Sequence, residues 1–233
     1  MEFNQKLQRG TLIRRYKRFL ADVELDNGKQ LTVHCPNSGS MLGCSESGSP
    51  VMISRSDNPN RKYPHTLEMV KSGHVWVGVN TSLTNKLVRE ALEHGIVKEF
   101  GILDSIIQEV KTSANTRLDF QMNSAGQQIY MEVKNCSLAV DRAAMFPDAI
   151  TSRGKKHLHE LAALKQRGNK AAVFFCIQRD DADYFRPARH IDPLYAETLL
   201  KVAEDGVKVL VYQADVSPEG IEITRKLPVQ LTA

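Results

Sequence analysis

The sequence lacks the features that would mark a membrane or secreted protein. No apolar run approaches the roughly 20 residues needed to span a bilayer, and the start, MEFNQKLQRG, has no apolar signal core. Neither membrane insertion nor secretion is therefore expected, and the cytoplasm is the predicted location. Internal repeats and low-complexity tails are also missing, so the whole chain reads as ordinary globular sequence.

Cysteine is scarce, and its spacing fits no common metal motif. The four cysteines are Cys35, Cys44, Cys136 and Cys176, and no two of them form a Cys-x-x-Cys pair. Cys136 and Cys176 sit in or beside apolar strand patterns, where a thiol behaves as a small hydrophobe. We therefore expect neither a zinc site nor a disulfide framework.

Motifs for reading a DNA sequence or a sugar are missing as well. No helix-turn-helix or zinc-finger pattern is visible, so sequence-specific reading of the major groove is not expected. There is no glycine-rich phosphate loop, and Trp76 is the only tryptophan, which disfavours a small-molecule sensor. The net charge of +4 and a pI near 8.8 permit nucleic-acid binding without demanding it.

Residues 1–80 read as an all-β domain. Short segments with alternating apolar residues are separated by turn signals such as Asp26-Asn-Gly28. Several short strands with frequent turns suggest a small barrel, and a five-stranded OB-like barrel fits the length. Pro36-Asn-Ser-Gly39 interrupts the pattern as a turn, with a ligand-binding loop as the alternative.

Residues 81–233 read as a second, α/β domain. Residues 152–167 carry a helical stripe, and Asp192-Pro193 combines an N-cap with proline at the first helical position. The continuous apolar run 171–177 is typical of a strand covered on both faces. The predicted order is α-β-β-β-α-β-α-β, with antiparallel strands first and helix-linked, parallel strands after them.

The stretch Arg117 to Asn135 reads as two strands joined by a polar turn at 123–126. Strand side chains alternate between two faces. The apolar set, which we expect to face one core, comprises Leu118, Phe120, Met122, Ile129, Met131 and Val133. Asp119, Glu132 and Lys134 are then left to share the opposite face.

Two carboxylates and an ammonium on one hairpin face suit a divalent cation beside a phosphate. Mg²⁺ or Mn²⁺ takes oxygen ligands, and one or two carboxylates plus phosphate oxygens suffice. Asp119 and Glu132 are the predicted metal ligands, and Lys134 is placed to position a water or to stabilise developing charge. Glu90, on the preceding predicted helix, is a candidate further catalytic or ligand residue. The alternative for all four is an ordinary solvated charged face.

Three basic clusters are candidates for contact with DNA phosphates. The first mixes cations with aromatics, which suits phosphate binding and base stacking on an OB-like surface, although a solubilising strand edge is the alternative. The third lies near the start of a helix, where phosphate is favoured, and its alternative is an exposed basic turn. The candidates are Arg14, Arg15, Tyr16, Lys17 and Arg18, then Arg61 and Lys62, then Lys155 and Lys156.

Arg117-Leu-Asp119 followed by Glu132-Val-Lys134 resembles the core motif of the PD-(D/E)xK nuclease superfamily, with Leu118 in place of the motif's proline. The wider chain resembles the sugar fermentation stimulation protein A (SfsA) family. The segments that carry this wider resemblance are LQRGTLIRRYKRFLADV at 7–23, HCPNSGSMLGC at 34–44, RKYPHT at 61–66, VNT at 79–81, FPDAITSRGKKHLHEL at 146–161 and PARHIDPLYA at 187–196.

The resemblance implies an α+β architecture with two parts. These are an N-terminal small OB-like β-barrel and a C-terminal restriction-endonuclease-like mixed sheet flanked by helices. It also implies non-sequence-specific DNA binding and a regulatory role in sugar, especially maltose, metabolism. The leading hypothesis is a DNA-binding protein with a nuclease-like metal site. The alternatives are a Mg²⁺- or Mn²⁺-dependent nuclease acting on DNA or RNA, and a small-molecule sensor.

Overall fold

The structure, a computed structural model, describes residues 1–232. The elements of its first part are β1 Gln8–Tyr16, β2 Leu20–Leu25, β3 Gln30–His34, β4 Pro50–Arg55, β5 His65–Ser72, β6 Val75–Gly78 and a 3₁₀ turn at Thr81–Leu83. Those of its second part are α1 Thr84–Glu93, β7 Ser105–Ser113, β8 Thr116–Ser124, β9 Gln127–Cys136, β10 Leu138–Val140, β11 Ala143–Phe146, α2 Ser152–Gln166, β12 Lys170–Ile177, β13 Tyr184–Pro187, α3 Pro193–Glu204, β14 Lys208–Val216 and β15 Ile221–Lys226.

Strands β1 to β5 close into a barrel, and β6 pairs antiparallel with β5. Their order is β3-β2-β1-β4-β5-β6, and a parallel pairing of His34 with Thr66 joins β3 to β5. Inward-facing residues such as Leu12, Val23 and Ile53 fill the core with no exposed surface. Closure protects the strand edges from pairing with other chains. The OB-like barrel predicted for this part of the chain is confirmed.

A mixed six-stranded sheet dominates the second part, in the order β15-β14-β12-β9-β8-β7. Strands β9, β12 and β14 run parallel, whereas β7, β8 and β15 pair antiparallel with their neighbours. α1 packs on one face, and α2 and α3 pack on the other. Both faces are thus covered, which explains the continuous apolar run in β12. The predicted mixed sheet flanked by helices is confirmed.

Local signals in the sequence account for the two helices on the second face. α2 spans Ser152–Gln166 after the side chain of Thr151 caps its first turn. α3 follows Asp192, whose carboxylate accepts a hydrogen bond from the backbone N–H of Tyr195 at 2.9 Å. None of the helices in the described range is long and apolar enough to cross a membrane.

Two sequence-based expectations need correction. The small sheet β10-β11-β13 has no counterpart in the predicted element order, because strands of three or four residues carry too little alternation to be recognised. Leu118 packs with the α2 and α3 side of the sheet, whereas Phe120 and Met122 pack on the α1 side. The pairing of β8 with β9 ends at Phe120 and Met131, so alternation along β8 no longer fixes the face of Leu118.

Candidate active site

A cleft of about 550 Å³ is lined by residues of both parts of the chain, and three of the predicted site residues lie in it. Asp119 comes from β8, and Glu132 and Lys134 come from β9. Further lining comes from the barrel loop 37–39, the start of α1, the end of β9, and residues 145–154, which include the first turn of α2. Strand alternation placed the three charged residues on one face, and α2 covers part of that face.

Glu132 is the most enclosed charged residue of the cleft. Its side chain is 5% exposed, and its Oε1 accepts a hydrogen bond from Lys134 Nζ at 2.5 Å and pairs with His157 Nδ1. Burial acts to raise the pKa of Glu132, but His157 and Lys134 outweigh burial and hold the pKa below its usual value. The other oxygen, Oε2, is buried and has no hydrogen-bond partner among the described residues.

Asp119 lies next to Glu132, and its pKa is shifted in the opposite direction. Its Oδ2 accepts the backbone N–H of Val133 at 2.7 Å, and its Oδ1 accepts Asn85 Nδ2 at 2.9 Å. Burial and the negative charge of Glu132 raise the pKa of Asp119 to about 6, although these two hydrogen bonds and Lys134 oppose the shift. The two carboxylates therefore repel each other, and the pair favours an additional positive charge.

His157 was not among the residues predicted for the site. It is 4% exposed and lies on the first half of α2, which is anchored because the Thr151 N–H donates to Asp192 Oδ2 at 2.9 Å. Its spacing to Leu161 and Leu164 matches one buried helical stripe. That spacing could have shown that His157 faces the core side of the helix, unlike the neighbouring candidates Lys155 and Lys156.

The barrel loop reaches the cleft because Arg15 holds it. The Arg15 guanidinium donates hydrogen bonds to four backbone carbonyls at 2.7–3.2 Å. Those carbonyls belong to Arg18, Asn37, Gly39 and Ser40. Arg15 thus holds the loop from strand β1, and its predicted contact with DNA stays a prediction.

The loop also packs closely against the segment before α2. The Met41 N–H donates to Asp148 Oδ2 at 2.8 Å, and Ser40 Oγ donates to the Asp148 carbonyl at 2.6 Å. A Cβ atom on Gly39 would lie 2.7 Å from Asp148 Oδ2, so glycine permits this approach. Residues 37–39 of this loop line the cleft, and a ligand for the loop stays a prediction.

Glu90 is placed differently from the expectation. Its carboxylate lies 2.9 Å from the amino-terminal nitrogen of Met1, and it is not among the residues that line the cleft within the described chain. Asn85, earlier on α1, is the helix residue that contacts Asp119. The carboxylate of Glu90 suggested a metal ligand, whereas a neutral amide at position 85 gave no such signal.

The remaining basic candidates lie outside the cleft lining. Arg14 pairs with Asp22 at 2.9 Å and lies over the ring of Tyr16. Arg61 Nη2 donates to Thr66 Oγ1 at 3.1 Å, and Lys62 lies over the Tyr63 ring. Lys155 lies 3.9 Å from Asp192, and Lys156 Nζ donates to the Asn115 carbonyl at 2.7 Å. Lys17 and Arg18 occupy the β1–β2 turn with positive φ. Their contacts with DNA stay predictions.

The residues present fit a hard divalent cation. Within residues 1–232 no group of three or more His, Cys, Asp or Glu side chains is arranged to hold a metal ion. Mg²⁺, however, is commonly held by one or two carboxylates together with waters and phosphate oxygens. The unpartnered Oε2 of Glu132 and the repelled carboxylate of Asp119 supply that donor set.

Comparison with known proteins gives matches over nearly the whole chain. Residues 82–220 match the model of the sugar fermentation stimulation protein RE domain, and residues 13–79 match that of the SfsA N-terminal OB domain. The sugar fermentation stimulation protein homolog of Desulfotalea psychrophila is 52% identical over 99% of this chain and 95% of its own. The homolog of Geotalea uraniireducens is 51% identical over 95% of this chain and 96% of its own.

A solved structure shows the same fold at low sequence identity. It is described as the structure of Pyrococcus furiosus SfsA in complex with Ca²⁺, and it superposes with a TM-score of 0.91. The match covers 99% of this chain and 98% of that one, at 23% identity. With family models and relatives in agreement over nearly its full length, the chain belongs to the sugar fermentation stimulation protein (SfsA) family.

Proposed function

We propose that the protein binds nucleic acid without sequence preference and hydrolyses its phosphodiester backbone in the cleft, with Mg²⁺ or Mn²⁺ held by Asp119 and Glu132. The observation that carries this proposal is the buried Oε2 of Glu132, which has no hydrogen-bond partner among the described residues. An unsatisfied buried carboxylate oxygen is costly and calls for a partner. A divalent cation would satisfy Oε2 and relieve the repulsion from Asp119 at once.

The charges around the pair support a cation of this kind. The pKa of Asp119 is raised to about 6 by burial and by Glu132, so a nearby positive charge would favour its ionised form. Pyrococcus furiosus SfsA is described in complex with Ca²⁺, which also prefers oxygen ligands. This description concerns the relative, and it supports a divalent cation as the ion to test in this chain.

Each side chain of the cleft would have its own role in phosphodiester hydrolysis. Asp119 and Glu132 would hold the divalent cation, whose positive charge would stabilise the charge that develops on the phosphate. Lys134, whose Nζ lies 2.5 Å from Glu132 Oε1, would orient the attacking water and stabilise charge on the phosphate. His157 and Asn85 fix the orientation of the two carboxylates through their hydrogen bonds.

A second candidate is binding of nucleic acid without cleavage. It is favoured by the contact of Lys134 with Glu132, because this ammonium already neutralises part of the acidic charge. Affinity would then come mainly from Lys and Arg contacts to phosphates and would fall steeply with salt. A regulatory role in sugar metabolism, in keeping with the name of the relatives, would act through this binding.

An assay on the full-length protein separates the two candidates. Plasmid, linear duplex and single-stranded DNA or RNA are incubated with Mn²⁺, with Mg²⁺ or with chelator. The proteins compared are wild type, Glu132→Gln and the matched control Glu93→Gln, whose carboxylate is exposed on α1 and pairs with Arg89.

The proposal predicts cleavage that needs a divalent ion, is lost in Glu132→Gln and persists in Glu93→Gln. Cleavage that persists undiminished in Glu132→Gln would exclude this site. Salt-dependent binding without cleavage in any condition would establish the second candidate instead.

A further inference from the structure

Two further cavities neighbour the cleft that holds the carboxylates. A cavity of about 530 Å³ shares Glu109, Asp119 and Arg153 with the cleft. Another, of about 630 Å³, shares Met145 with it. Shared lining residues make both outer cavities neighbours of the cleft, and Met145 is the one residue that the second of them shares with it. We name the first outer cavity the Lys111 end and the second the Arg186 end.

The Lys111 end is rich in positive charge. Its lining includes the cations Lys111, Arg117, Arg153 and Lys156. Arg117 makes only an exposed contact of 3.6 Å with Glu109, and Lys111 has no ion pair within residues 1–232. Exposed ion pairs are weak, so these side chains remain available for phosphate.

The Arg186 end is lined by both cationic and apolar side chains. It is lined by Arg186, Arg189 and His190, together with Met145, Pro187 and Leu231. Arg189 makes an exposed contact of 3.8 Å with Glu197, and Arg186 is exposed without an ion pair in the described range. Guanidinium groups above apolar surface suit a phosphate that carries a base.

The enclosure of the cleft favours a flexible strand over a stiff duplex. Glu132 is only 5% exposed and lies in a cleft that is also lined by the barrel loop and the start of α2. A duplex is stiff over about 150 base pairs, whereas single strands bend and offer unstacked bases. Ile150, 78% exposed on the cleft lining, supplies an apolar surface for such a base.

We infer that the three cavities form one channel for a single strand of nucleic acid, with one phosphodiester at Asp119 and Glu132 and flanking phosphates at both ends. Lys111 and Arg117 hold phosphates at one end, and Arg186 and Arg189 hold them at the other. The inference rests on the proposed function for the role of the middle site. It assigns the substrate class and makes cleavage internal to the strand, because the strand extends on both sides.

Binding measurements on the full chain test the channel. Fluorescence anisotropy is recorded with labelled single strands of about 4 to about 16 nucleotides, the range of site sizes known for single-strand-binding folds. DNA and RNA versions show which kind of strand is preferred, and a blunt duplex of the longest sequence is the comparison. The variants are Lys111→Ala/Arg117→Ala and Arg186→Ala/Arg189→Ala. Arg167→Ala/Lys201→Ala removes the same charge outside all three cavities.

The channel predicts that each end variant weakens binding of the longest single strand about tenfold and lowers the salt slope by about 1.4, since each phosphate contact contributes about 0.7. The shortest strand, held at the centre, is affected much less, and the control binds like wild type. Melting temperatures check that all variants are folded. Equal binding of duplex and single strand, or an end variant without effect, overturns the channel.

A small phosphodiester separates failure of the channel from failure of the proposed function. Bis(4-nitrophenyl) phosphate with Mn²⁺ reports on the centre alone. If it is hydrolysed while both end variants bind strands normally, the channel is wrong and the proposed function stands. If it is not hydrolysed while both end variants lose affinity, the channel stands and the proposed hydrolysis is wrong.

Discussion

The carboxylate of Asp119 accepts the backbone N–H of Val133 at 2.7 Å, at the point where β8 and β9 cease to pair. The last paired residues are Phe120 and Met131. A side-chain oxygen thus satisfies a backbone donor that a continued ladder would pair with a carbonyl. This contact holds Asp119 beside Glu132, and it links the end of a strand pair to the acidic centre of the cleft.

Asp119→Asn should stabilise the protein at neutral pH. Burial and Glu132 raise the folded-state pKa of Asp119 from 3.8 to about 6, so between these values the folded state binds more protons than the unfolded state. Stability contributed by this group therefore falls as pH rises through the window. Near pH 7 the unfolding free energy is lowered by an amount on the order of 3 kcal/mol, since each pKa unit corresponds to about 1.4 kcal/mol.

Urea unfolding of metal-free protein measures this effect. Asparagine keeps an oxygen for the Val133 N–H, so the variant should gain stability over wild type near pH 7 and lose that gain near pH 4. An equal difference at both pH values would show that the charge of Asp119 is not the cause.

His157→Ala should weaken both the fold and the site. The change leaves Glu132 Oε1 with Lys134 alone and opens space under α2, at a cost of about 1–3 kcal/mol in unfolding free energy. Loss of the partner that orients a ligand should also raise the Mn²⁺ concentration needed for activity by about 10–100-fold. His159→Ala, exposed on the same helix, is the control. A Mn²⁺ requirement unchanged in His157→Ala would mean that this residue only packs.

Arg15→Ala should loosen the barrel loop that lines the cleft. Four carbonyls lose their donor, and a net loss of about 2–4 kcal/mol is expected from hydrogen bonds to a charged group. Hydrogen exchange of the Gly39 and Met41 amides should accelerate. Arg14→Ala, which removes an exposed pair with Asp22, should leave this loop unchanged. Similar exchange in both variants would contradict the role of Arg15.

The parts of the fold that were predictable are those with local signals. The apolar run of β12, the Asp192-Pro193 start of α3 and the turn at 123–126 each depend on neighbours in sequence. β10, β11 and β13 were missed because short strands are specified by distant partners. The same holds for Leu118, whose face depends on where β8 leaves β9.

The site was predictable where strand alternation applies. Asp119, Glu132 and Lys134 lie in one cleft, as alternation implied, while their chemical roles stay predictions. Asn85 and His157 come from two helices, and their approach is set by helix packing that no local pattern encodes. Glu90 is the opposite case. Its carboxylate is chemically suitable as a metal ligand, but it lies beside the amino-terminal nitrogen of Met1.

The most direct test of the central claim is calorimetric titration of metal-free protein with Mn²⁺. Wild type and the Glu93→Gln control should bind at one site and gain melting temperature, as expected for a ligand that binds only the folded state. Glu132→Gln, which keeps the shape of the side chain, should show neither effect. Binding of Mn²⁺ by Glu132→Gln with wild-type affinity would contradict a cation site at Glu132.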